Sequence, residues 1–226
     1  MNRRLPNEFL FMVVSLVLAT LVVHSLYVLH VRPVAESVLA EQAVRMKEDP
    51  NYIADRSIYV IIKDYEQEAE IILMLWALAI LGYKALAYRG ERALLDSGVL
   101  KLAEGTRILP EDTREYARQL ESLPSEARNM LVPRALLAAL ARFGATRNVQ
   151  DASTVAYGVC QSEANRLDSE LSMLRYIAWA IPAIGFIGTV RGIGDALSQA
   201  HKAVSGDISG VTEGLGVAFN STLIAL

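Results

Sequence analysis

Three hydroxyl side chains sit in the most apolar stretches of this chain, where they could hold a polar or charged group. Thr189 lies within Ile181–Leu197, IPAIGFIGTVRGIGDAL, and Ser221 and Thr222 lie within Gly214–Leu226, GLGVAFNSTLIAL. Read as a helix, the first stretch places Ala178, Pro182, Gly185, Thr189, Gly192 and Ala196 on one face, with Gly188 beside them. The second repeats the pattern with Gly214, Ala218, Ser221, Thr222 and Ala225. Small residues at this spacing let helix backbones approach closely in lipid. Pro182 removes a backbone hydrogen bond and frees the Ala178 carbonyl, which predicts a kink or a polar spot. Hydroxyls in apolar helices commonly bond back to their own turn. Two threonines at one depth on neighbouring helices can do more: together they can line a polar slot.

Depth follows from the helical rise. With the hydrocarbon core entered at Ile177, Thr189 lies about 18 Å inward. Thr222, on a helix running the other way, falls at nearly the same level. Arg191 and Asp195 come close to the outer surface, where the arginine can reach headgroups or pair with Asp195 one turn on. His24, His30 and His201 are expected at interfaces rather than in catalysis. Hydroxyls are then this chain's only contribution at mid-membrane, with no carboxylate among them.

The elements that must carry these residues are membrane spans. The chain has 226 residues, is 53% hydrophobic and carries a formal net charge of −3. That composition is too apolar for an ordinary soluble domain, and it lacks the basic excess of a nucleic-acid binder. Cys160 is the single cysteine, which excludes an internal disulfide and a multi-cysteine metal site, and it is expected to be a buried small residue. Four apolar segments stand out: Phe9–Leu29, Ala69–Tyr88, one beginning near Tyr176 and one near Val211. Lys84 can snorkel from the second. The first exceeds a signal-peptide core and no A-x-A site follows it, so it is expected to be an uncleaved anchor.

Charge orients them. Arg3 and Arg4 precede the first span, and Lys84, Arg89 and Arg92 end or follow the second, whereas Val31–Glu68 holds more acidic than basic residues. The N-terminus is therefore expected in the cytoplasm. The layout is all-α: a first hairpin over 1–89 with an outside helical segment 31–68, a helical cytoplasmic domain over 90–175, and a second hairpin over 176–226. In the outside segment Pro33 opens a helix to about Met46 with Val34, Val38 and Val44 inward. Asp49-Pro50-Asn51 breaks it, and from Ser57 the pattern runs into the second span. In the insert, Pro110, Pro124 and Pro133 start helices, Gly144 ends the third, and Asp151 or Ser153 caps a long helix running unbroken into the third span. The last apolar stretch is about 16 residues, short of the ~20 that span a bilayer, so the C-terminus is expected to be truncated.

No enzyme is legible. Gly192 and Gly194 hint at a phosphate loop, but Leu197 stands where the third glycine belongs. Hydrolase and metalloprotease patterns are absent from the sequence.

At Ile181–Ile193 the chain resembles the MotA/TolQ/ExbB family, the channel-forming subunits of proton- or sodium-driven motors. Those residues are similar to the family's P-x-x-G-x-x-G-T-V-x-G-I element, and Ala218–Leu226 is similar to its A-L-x-x-T-x-x-G-L element. The resemblance covers about a tenth of the chain. It implies a homopentamer in the bacterial inner membrane, in the lipid bilayer, around two single-span MotB/TolR/ExbD-like partner helices, each of which brings an aspartate. It implies Thr189 and Thr222 as ion-path residues with Ser221 as a weaker addition, and Pro182, Gly185, Gly188 and Gly192 as motif positions. The transported ion would be H+ or Na+, with no cofactor. Val217 stands where Ton and Tol members carry a membrane glutamate, Glu213 lies one turn earlier, Ala225 replaces a glycine, and Arg191 fills a position that is often apolar. The different expectation is a non-conducting four-span scaffold or sensor.

Overall fold

In the computed structural model, residues 4–49, 52, 56–96, 98–100, 105 and 107–226 are described. Among them no strand occurs, and the helices run α1 Arg4–Leu26, α2 Arg32–Glu48, α3 Ile58–Ile62, α4 Tyr65–Asp96, α5 Thr113–Glu121, α6 Ser125–Arg128, α7 Leu131–Thr146, α8 Val149–Glu170, α9 Ser172–Ser198, α10 Ala200–Val204 and α11 Ser209–Ala225. Arg3, Pro50 and Asn51 lie outside the described residues. Three helical runs are long and apolar enough to cross a membrane: Glu8–Glu48, Tyr65–Leu95 and Val149–Ser198. The 17-residue α11 reaches about 26 Å, slightly less than a ~30 Å hydrocarbon core. The chain divides into two compact units, one comprising Met1–Leu81 with Leu174–Leu226 and the other Gly82–Met173.

In the first unit, α1 does not stop before Pro33. A π-helical turn, Tyr27–Val31, joins it to α2. Proline at the second position of α2 cannot donate to the carbonyl four residues back and crowds it. Widening the preceding turn accommodates that ring without breaking the run. The π turn buries Tyr27 and Val31, which cluster with Val23 against Ile62, Ile71 and Ile72. Ala35 is fully buried on α2, whereas Val44, expected inward, is exposed. The Trp76 indole N–H donates to the Met12 carbonyl at 2.9 Å and ties α4 to α1. Between α3 and α4 the chain breaks at Lys63 and Asp64 instead of running on as one helix. Large apolar side chains remain exposed along α1, α4, α9 and α11, among them Leu18, Leu26, Leu78, Trp179, Phe186 and Phe219. Apolar surface of that extent suits lipid.

The second unit packs α7 against α8 and α5. The Glu91 carboxylate accepts the Leu131 N–H at 2.9 Å, serving as a cap for α7. Gly144 does not end this helix, which continues to Thr146. A Cβ at Gly144 would lie 2.6 Å from Thr113 Oγ1, so the glycine admits α5. Arg147 in the left-handed region (φ 55°) ends the helix instead. Asn148, not Asp151 or Ser153, caps α8 by accepting the Gln150 N–H at 2.9 Å. The helical run from Val149 to Ser198 is interrupted only by a turn at Leu171. Lys84 does not snorkel: it is buried and its Nζ meets Glu170 Oε2 at 3.1 Å. Arg166 joins Glu170 to Glu163, which also receives Arg134. A lone buried ammonium would be costly, and this partner neutralises it. Cys160, expected buried, is exposed.

Candidate functional site

The site is built on the crossing of α9 and α11. A Cβ at Gly192 would fall 2.5 Å from the Ala218 backbone nitrogen, and one at Gly214 would fall 2.5 Å from that of Ala196. Each distance is shorter than side chains tolerate, so both positions require hydrogen in place of a methyl. The two backbones touch because the small-residue faces of both helices meet. Gly185, Gly188, Gly192 and Ala196 are buried on α9, opposite Gly214, Ala218, Ser221 and Ala225 on α11.

Close approach brings the threonines together. Thr189 Oγ1 and Thr222 Oγ1 lie 2.5 Å apart. Thr189 also donates to the Gly185 carbonyl of its own helix at 2.9 Å, and it lies 3.3 Å from the Ala218 carbonyl across the crossing. Each hydroxyl has one proton, so these acceptors compete, and the pair is left with lone-pair capacity for a further donor. Thr189 is half-buried, and Thr222 is exposed on the single chain. Pro182 sits inside α9, exposed, without ending the helix.

Ser221 faces the other side of the crossing and is fully buried. There it meets α4. Oriented to match both of its ends, the Gln67 amide donates to the Asp64 carbonyl and accepts from the Ser221 N–H and hydroxyl, each at 3.2 Å. Gln67 is itself fully buried. The first turns of α4, Tyr65-Glu66-Gln67-Glu68-Ala69-Glu70, thus lie in the groove between α9 and α11.

That docking redirects Arg191. Its guanidinium does not pair with Asp195; it grips Glu66 with Nε and Nη2 each 2.8 Å from a carboxylate oxygen. The two-pronged geometry suits the planar fork and satisfies both carboxylate oxygens. Asp195 instead lines an open polar cleft of about 520 Å³ with Arg191, Lys63, Asp64 and Lys202. Asp207, on the same cleft, accepts from the Ser209 hydroxyl and N–H, which hold its carboxyl below the usual carboxylate range. Glu213 and Val217 also line this cleft.

Glu68 points to the opposite side of α4. It receives His24 Nδ1 at 2.7 Å and the Arg32 guanidinium. Arg32 stacks over the Tyr65 ring, 4.2 Å from its centre. His30 packs edge-on against Tyr59, and His201 lies 3.1 Å from the Ser198 carbonyl. These contacts hold all three histidines away from the threonine pair.

Glu70 is the residue that sequence reasoning missed. It is 2% exposed, and neither carboxylate oxygen has a hydrogen-bond partner. A Cβ on Gly185 would stand 3.2 Å from its Oε1 and 3.1 Å from the Ser221 carbonyl. A carboxyl group of this chain thus shares the groove with the hydroxyls. Its spacing after Glu66 and Gln67 was the available signal, since residues three and four apart share a helix face.

Residues 129–226 match the model of the MotA/TolQ/ExbB proton channel family. The match includes Thr189, Ser221 and Thr222 and leaves the acidic turn of α4 outside it. No curated protein and no solved structure matches the chain. The threonine crossing lies within the segment of this chain that is similar to the MotA/TolQ/ExbB proton channel family.

Proposed function

We propose that this chain is the channel-forming subunit of an ion-motive-force-driven motor in a bacterial inner membrane. In this reading it crosses the membrane four times with its N-terminus in the cytoplasm, and α11 is the fourth span. Residues 90–175 form the cytoplasmic insert. Five copies surround two single-span partners of the MotB/TolR/ExbD kind, whose aspartates take up and release a proton or sodium ion opposite Thr189 and Thr222. Passage of one elementary charge through 100 mV releases about 2.3 kcal/mol, enough to bias a mechanical step.

The observation that carries this reading is the 2.5 Å contact between Thr189 and Thr222 at a glycine-built crossing within the family domain. Two hydroxyls that hold each other can each open toward an incoming carboxyl group without leaving a buried donor unpaired. The exposure of Thr222 on the single chain leaves that edge free to face a partner helix.

The test is driven ion flux in membrane vesicles that hold the whole complex. Thr189→Val removes the hydroxyl at nearly constant volume and should abolish flux while the complex still assembles; Thr189→Ser should retain part of it. Wild-type flux in the valine variant would remove Thr189 from the ion path and contradict this reading.

A further inference from the structure

A carboxyl group buried away from water is costly to keep charged unless something pairs with it. Every other acidic side chain in the first turns of α4 has such a partner: Glu66 has Arg191, and Glu68 has His24 and Arg32. Glu70 has none, and it is the most deeply buried of the three. Its surroundings are not a packed apolar core, because Ser221 lies across the groove and Gln67 lies one turn back on the same helix face.

From this geometry we propose that Glu70 is a proton-binding group belonging to this chain, reached from the outer cleft through Gln67 and Ser221. Asp64 lines the cleft, its carbonyl accepts from the Gln67 amide, and that amide accepts from Ser221. Polar atoms thus continue from open solvent to the groove that holds Glu70. In the step one O–H bond of hydronium breaks, leaving water, and one O–H bond of the carboxyl group forms. A hydronium ion on the outer side gives its proton to the carboxylate, forming an O–H bond. The carboxyl later gives that proton to water or to the acid that enters the threonine slot. The inference deepens the channel reading and rests on it, because it makes the ion a proton.

The charged groups near Glu70 on each packed element are consistent with this role. On α4 they are Glu66, held by Arg191, and Glu68, held on the opposite side by His24 and Arg32. On α9 the nearest charge is Arg191, already engaged by Glu66; α11 brings Ser221 and Ala225 to this part of the groove; and the π turn packed on α4 brings the buried Tyr27 hydroxyl, a neutral group that interacts electrostatically with Glu70. Among the described residues, no cation is positioned to hold Glu70 as a carboxylate.

The proposal can be tested on the full chain in its own membranes with dicyclohexylcarbodiimide, which reacts with protonated carboxyl groups in apolar surroundings. Peptide mass spectrometry should find the adduct on Glu70 in preference to Glu66 and Glu68, forming more slowly as the pH is raised. Absence of the adduct from Glu70, or a rate independent of pH, would overturn the proposal. So would protection by sodium ions, which would identify a sodium site. In the flux assay Glu70→Gln, nearly isosteric and permanently neutral, should lose driven flux, and Glu70→Asp should keep part of it. If Thr189→Val abolishes flux while Glu70→Gln does not, the channel reading stands and this inference fails. If neither variant changes flux, the channel reading fails, and the labelling result alone still decides whether Glu70 holds a proton.

Discussion

Around the threonine pair, hydrogen bonds and ion pairs divide the work among side chains. Thr189 and Thr222 hold each other, Ser221 holds Gln67, and Arg191 holds Glu66. The last of these ties α4 to α9 at the rim of the polar cleft. Glu66 is largely buried and Arg191 only partly so, hence removing the arginine strands the carboxylate more severely than the reverse. Arg191→Ala should destabilise the protein by about 1–3 kcal/mol, the cost of an unpaired buried group. Glu66→Gln should cost less. Thermal unfolding of both variants in detergent measures the difference, and equal losses would mean that the pair acts only as a surface contact. The hydroxyl positions are legible in the sequence because a helical face repeats every three or four residues. The partner of Arg191 is not. Local spacing presents Asp195, the nearest acid on the same helix, whereas Glu66 is brought from α4 by tertiary packing.

Among the elements, α9 and α11 are the pair whose geometry matters most. Their contact runs backbone against backbone at Gly192 and Gly214. Gly192→Ala should push the helices apart, cost about 1–3 kcal/mol through overpacking, and weaken the Thr189–Thr222 contact. Gly158, on α8, has open space within 4 Å of where a methyl group would stand. Gly158→Ala should therefore stabilise the helix by up to about 1 kcal/mol through propensity alone. Unfolding midpoints that shift in opposite directions for the two variants would bear this out; a matched shift would contradict it. The glycine stripe is legible in the sequence because small residues recur on one face. The acidic turn of α4 is not, because Glu66–Glu70 reads equally well as the wet end of a span. Its meaning depends on docking into the α9/α11 groove, which no local pattern encodes. The joining of α1 to α2 is hidden for a related reason: Pro33 commonly opens a helix, and only the wider turn at Tyr27–Val31 lets the run continue through it.

For the molecule as a whole, the exposed apolar side chains of α1, α4, α9 and α11 account for its affinity for lipid, and the exposed Thr222 edge leaves the slot one-sided in a single chain. Completion by neighbouring helices is what the proposed assembly supplies. Particle images of the purified complex should then show five copies of this chain about a central axis; a lone subunit or a dimer would remove the ring on which the motor reading depends. The central claim is that Thr189 and Thr222 face a wet path and not lipid. It is tested most directly by placing single cysteines at 189 and 222 in a Cys160→Ser background and treating the assembled complex with small water-soluble and lipid-soluble thiol reagents. Both cysteines should react with the water-soluble reagent. Reaction with the lipid-soluble reagent alone would contradict the claim.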